Sequence, residues 1–185
     1  RWHSVTGVQT CALPISAPAL AKAFNEYDPG KNDDDVKYAA QAVGALAAAG
    51  KLTDQSLTDS LWNVFAKFQV SKAKSINLVK DLHDAVLAAA NPSFGPKAVE
   101  KLSASFDSKN EDAAKDHLEF WQLTAVQVIG ETKFVGGVKP LVRVLVNKDK
   151  QSLRAASTAA LMKMPRESED ALISALQGND PEVQK

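Results

Sequence analysis

From residue 17 onward apolar residues recur every three or four positions, and no stretch sustains the alternation of a half-buried strand. The period predicts one helix after another. An alanine-rich segment over 17–27 ends at Asp28-Pro29-Gly30, a turn signal. Asp33, Asp34 and Asp35 place negative charge at the start of a helix that begins at Val36 and stops at Gly50. Thr53 or Asp54 caps the next helix, whose Leu57, Leu61, Val64, Phe65 and Phe68 form one stripe. Ser75 opens a helix to Ala90, with Ile76, Val79, Leu82, Val86 and Leu87 inward and Asn91-Pro92 as its stop. Gly95-Pro96 opens a shorter one carrying Val99, Leu102 and Phe106. After a polar link comes a helix over 111–130, with Leu118, Trp121, Ala125, Val128 and Ile129 buried. Gly136-Gly137 breaks the chain before a helix over 138–146, Ser152 to Met164 forms another ended by Pro165, and Glu169 to Gln177 is the last.

Short turns predict four antiparallel pairs: 35–49 with 54–69, 75–90 with 95–106, 111–130 with 137–146, and 150–164 with 167–177. A lone pair cannot bury both of its faces, so the pairs are expected to stack. The last two pairs overlay on one another. Trp121 falls on Leu153 and Ile129 on Leu161, while in the second helices Leu141 falls on Leu172 and Leu145 on Leu176.

Asn179-Asp180-Pro181-Glu182-Val183 resembles the opening of a HEAT-type repeat, whose first helix commonly begins Asp-Pro-x-Val-Arg. Asp33 to Lys37 followed by Ala39, Ala40 and Ala42 resembles the same opening, and Leu153-Arg154-Ala155-Ala156 with Ala159-Ala160-Leu161 resembles its core. The resemblance covers roughly residues 33 to 185. It implies an all-α fold: an α-solenoid of stacked antiparallel helix pairs, an armadillo-type superhelix. One helix of each pair would lie on the convex side and the other would line a concave surface. Asp149 and Arg154 are expected to pair at a repeat junction, as in many arrays of this kind. The array is expected to be truncated within a new first helix, leaving 167–185 as the least stable part.

Residues 5–15, Val-Thr-Gly-Val-Gln-Thr-Cys-Ala-Leu-Pro-Ile, resemble the in-frame translation of a common short-read sequencing adapter. Residues 1–16 are therefore expected to be non-native and disordered, with a single domain over 17–185. A signal peptide is excluded there, because Thr6, Gly7, Gln9 and Thr10 interrupt any apolar run. Cys11 is the only cysteine and lies in that segment with Trp2 and His3, so none of the three supports a thiol nucleophile or a metal site. The remainder cannot form a disulfide framework, which leaves the compartment open.

Composition narrows the function. Hydrophobic residues make up 45%, enough for a packed core. Lys plus Arg is 22 and Asp plus Glu is 22, a balance unlike the basic excess of nucleic-acid binders. No apolar run approaches the ~18 residues of a membrane span. His83 and His117 each neighbour carboxylates, but the His-x-x-x-His spacing of a zinc helix is absent. The His-Glu pairs through which some HEAT-like enzymes bind iron are absent too, and both histidines are expected to be solvated. Lys67, Lys72, Lys74 and Lys80 cluster around Phe68 and read as a solvated loop. Neither a Gly-x-Ser-x-Gly elbow nor a phosphate loop occurs. No catalytic, cofactor-binding or metal-binding residue is assigned and no cofactor is expected. The expected function is a non-enzymatic protein–protein interaction scaffold, a fragment of a larger HEAT-repeat protein. It would have a protein partner, no nucleic acid and no membrane insertion. The alternative, by fold analogy with HEAT-like proteins that attach bilins, is a lyase or an accessory chaperone subunit.

Overall fold

The computed structural model describes residues 16–107, 115–146 and 151–177. Among them the chain is all-helical and has no strand. The helices are α1 (Ala17–Asn25), α2 (Asp33–Ala48), α3 (Gln55–Lys67), α4 (Ile76–Ala88), α5 (Phe94–Asp107), α6 (Lys115–Thr132), α7 (Val138–Val146), α8 (Gln151–Met162) and α9 (Pro165–Leu176). Short 3-10 turns at Val70–Lys72 and Val135–Gly137 join α3 to α4 and α6 to α7. The adapter-like segment, Glu111 to Ala114, Asp149 and the repeat-like Asn179 to Lys185 lie outside the described residues.

Local chemistry sets the helix ends. Asp54 is the N-cap of α3, its Oδ1 accepting from the Leu57 N–H at 3.0 Å. Gly50 ends α2 with φ +65°, a left-handed conformation that only glycine adopts without strain. The three aspartates expected before the second helix form its first turn instead, with Asn32 as the N-cap. Pro165, expected to end one helix, also opens the next from its first position, where a missing N–H costs nothing.

Several helices pack against the second-next helix along the chain. In one layer α2 packs on α4, α4 on α6 and α6 on α8; in the other α1 packs on α3, α5 on α7 and α7 on α9. The predicted pairing needs correction. The sequence neighbours in closest contact are α5 with α6 and α7 with α8, whereas α2 and α3 scarcely touch. Side-chain bulk at a crossing sets how near two helices come, and turn length does not. At the α7–α8 crossing the small buried Ser157 donates to the Leu141 carbonyl at 2.6 Å.

The core runs the length of both layers. All five residues of the α3 stripe are buried. Aromatic rings continue it through touching pairs: Tyr27 with Phe68, Phe68 with Phe120, Phe120 with Phe65, Phe65 with Trp62 and Trp62 with Phe94, at centroid distances of 4.9 to 5.9 Å. Each such pair adds about 0.5–1.5 kcal/mol beyond its area burial. This spine ties α1, α3, α5 and α6 into one body. Phe94, fully buried, was not among the predicted core positions because it precedes Gly-Pro in what reads as a turn.

Candidate functional site

The α2/α4/α6/α8 layer carries a row of polar contacts from helix to helix. Gln41 Nε2 donates to Asp81 Oδ2 at 2.9 Å, between α2 and α4. The Nε2 of His83 on α4 meets the Gln127 side-chain amide of α6 at 2.6 Å. Ser152 Oγ donates to Glu119 at 3.0 Å and Lys163 pairs with Glu131 at 2.5 Å, both between α6 and α8. Tyr38, one turn before Gln41, stands exposed with the Lys37 ammonium 4.6 Å from its ring centre. Hydrogen bonds from Lys80, then from His83, hold the Asp84 carboxyl below the usual carboxylate range.

An open groove of about 130 Å³ crosses this face, lined by Leu87, Gln127, Gly130, Ala159 and Lys163 among others. Its floor exists because α6 and α8 nearly touch. A Cβ on Gly130 would stand 2.8 Å from the Ala160 Cβ, closer than real side chains come.

The other layer has its own rungs. Asp59 on α3 accepts from Lys97 on α5 at 2.7 Å, and that bond holds the Asp59 carboxyl low. Lys101 donates to the Ala66 carbonyl at 2.7 Å. The Arg143 guanidinium of α7 lies 5.6 Å from the Phe106 ring centre of α5.

At the base of the molecule, the buried carboxylate of Asp33 gathers three chain segments. It accepts from the backbone N–H of Gly30 at 2.8 Å, of Lys74 at 2.6 Å and of Ser75 at 3.4 Å, and from the Tyr27 hydroxyl at 3.3 Å. Burial pushes its carboxyl up, but the donors outweigh that and hold it below its ordinary value. Burial, followed by the Asp33 charge, pushes the Tyr27 phenol up.

His117 is not a solvated surface residue, and His83 is only partly exposed. His117 is buried and its Nε2 accepts from the Ser71 N–H at 2.9 Å, securing the 3-10 turn after α3. His83 bridges α4 to α6 and touches Asp84 at 3.0 Å. Their partners lie 46 and 44 residues away in sequence, beyond what local spacing reveals. The lysine cluster is also rearranged. Phe68 is fully buried inside the aromatic spine, and Lys80 is paired with Asp84. Arg154 donates to the Leu145 carbonyl at 3.1 Å, while its expected partner Asp149 lies outside the described residues. Among the described residues, no three His, Cys, Asp or Glu side chains come together as a metal site, and no helix is long and apolar enough to cross a membrane. No protein-family model, curated protein or solved structure matches the chain.

Proposed function

We propose that the protein is a non-enzymatic scaffold, an α-solenoid of the HEAT type that presents its α2/α4/α6/α8 face to a protein partner. The observation that carries this reading is the difference between the two layers. α2 and α4, and α6 and α8, lie close together and α4 meets α6, whereas in the other layer α1 packs on α3 and α7 on α9 but α3, α5 and α7 meet at few points. In a curved two-layer stack the closer-spaced layer is the inner one, which supports reading this face as the concave one. It combines an exposed aromatic, Tyr38, with a small-residue groove beside Leu87 and a row of polar side chains. Aromatic anchors surrounded by polar groups are what protein interfaces use most effectively.

The test compares three immobilised proteins in a lysate of the source cells: wild type, Tyr38→Ala/Leu87→Glu on the inner face, and Asn63→Ala/Lys67→Glu on α3 as a control. All three are first matched by thermal melting. A partner retained by wild type and control but lost from the inner-face variant supports the proposal. A partner that survives the inner-face changes, or that is lost from the control, contradicts it.

A further inference from the structure

Charge is divided unevenly between the two layers of a chain whose formal net charge is zero. In the α2/α4/α6/α8 layer the described lysines are already engaged: Lys37 with Asp34, Lys80 with Asp84 and, just past α8, Lys163 with Glu131. Arg154 of α8 turns to the Leu145 carbonyl of α7. Two further carboxylates of this layer have neutral partners: Asp81 accepts from the Gln41 amide and the exposed Glu119 from the Ser152 hydroxyl. The other layer is the reverse. Its Asp59 is taken by Lys97, whereas Lys67, Lys101, Lys139 and Arg143 have no carboxylate at ion-pair distance among the described residues.

The groove lies among these carboxylates. Leu87, Gly130, Ala156, Ala159 and Ala160 give it apolar walls, and its volume of about 130 Å³ is close to that of the ~150 Å³ cavity that admits benzene, room for one aliphatic side chain. One edge is Gln127, which His83 links to Asp84 on α4, a turn beyond Asp81. Another is Glu131 on α6, with Glu119 about 18 Å back along the same helix. We propose that this groove receives a basic segment of a partner protein, an apolar side chain seated over Gly130 and lysine or arginine side chains on either side of it meeting Asp81 and Glu119.

The inference rests on this layer being the binding face and adds the chemistry of what binds. A basic segment gains new ion pairs at Asp81 and Glu119 without displacing one that exists. An acidic segment meets the same two carboxylates and finds Lys37, Lys80 and Lys163 already taken. Like charges brought together exclude the wrong partner, and opposite charges steer the right one. Exposed ion pairs contribute little each, so the charges select the segment while burial of its apolar side chain holds it.

The experiment titrates the whole protein, by fluorescence polarisation, into three labelled peptides: Lys-Arg-Lys-Leu-Lys-Arg-Lys, its form with a central glycine, and its form with glutamate at every basic position. The leucine-centred basic peptide is expected to bind about 10-fold or more tighter than the acidic one and about 5-fold tighter than the glycine-centred one, and to weaken as salt is raised. Asp81→Asn/Glu119→Gln should weaken it about 5-fold, whereas Glu100→Gln on α5 should leave it unchanged. Ala159→Leu, which fills the groove, should remove the advantage of leucine over glycine. An acidic peptide bound as tightly as the basic one, no preference for leucine, or full affinity in Asp81→Asn/Glu119→Gln overturns the proposal. Should a variant not fold, the three peptides on the wild type decide. A cellular partner captured through the inner face with full strength by Asp81→Asn/Glu119→Gln also overturns it, and leaves the scaffold reading standing.

Discussion

At the scale of single residues, Asp33 shows how one side chain does two jobs. From sequence it is an acid at a helix N-terminus, favoured there by the macrodipole. In the fold it is also the acceptor that holds the turn at Gly30 and the link at Lys74 and Ser75 against α2. That second role was not legible, because its donors are backbone groups, two of them at Lys74 and Ser75 about 40 residues away, and backbone groups leave no signature in composition. Asp33→Ala strands those N–H groups and the Tyr27 hydroxyl, and is expected to cost about 2–4 kcal/mol at pH 7 by urea denaturation. The loss should depend on pH. The folded carboxyl is held below its ordinary value, so its stabilisation is present above the unfolded value of about 4 and fades as pH falls through the folded one. Wild type and variant should therefore converge in stability as pH is lowered below about 4. A gap of unchanged size at pH 2.5 would mean that the side chain acts by packing alone.

At the scale of elements, the hydrophobic period located every described helix, and for α3 all five residues of the predicted stripe are buried, with Trp62 buried beside them. It did less well on α4. Leu78 is fully buried, while the predicted Val79 and Leu87 are only partly covered. A helix packed on several sides has an apolar arc wide enough for more than one choice of centre. Which helices approach most closely was not legible either, since that depends on side-chain size at a crossing known only in three dimensions. Gly130 is a case in point. It looks like a helix stop at the end of the predicted 111–130 segment, but it lies inside α6, where its missing Cβ lets Ala160 of α8 come close. Gly130→Ala should force these helices apart. Overpacking of this kind costs about 1–3 kcal/mol, which for a chain of this size lowers the melting temperature by several degrees. An unchanged melting temperature would show that the α6–α8 contact is loose. The same substitution at Gly44, which has open space around its Cβ position, is the control and should be neutral or slightly stabilising.

At the scale of the whole molecule, the account rests on a stack in which each helix is held by its neighbours within a layer and, for α5 with α6 and α7 with α8, across the layers. Stability in such a stack is close to a sum of nearest-neighbour terms, so it should vary along the chain. α3 and α6 lie within the stack, and α3 alone buries Leu57, Leu61, Trp62, Val64 and Phe65. α9 packs on α7 and α8, buries only Ser168 among its side chains and leaves Ile173 and Leu176 exposed. Native-state hydrogen exchange tests this most directly. The account predicts that the amides of α9 exchange well before those of α3 and α6, with α8 between them. Equal protection in α3, α6 and α9, lost together in one cooperative step, would contradict the layered stack and the interaction surface built on it.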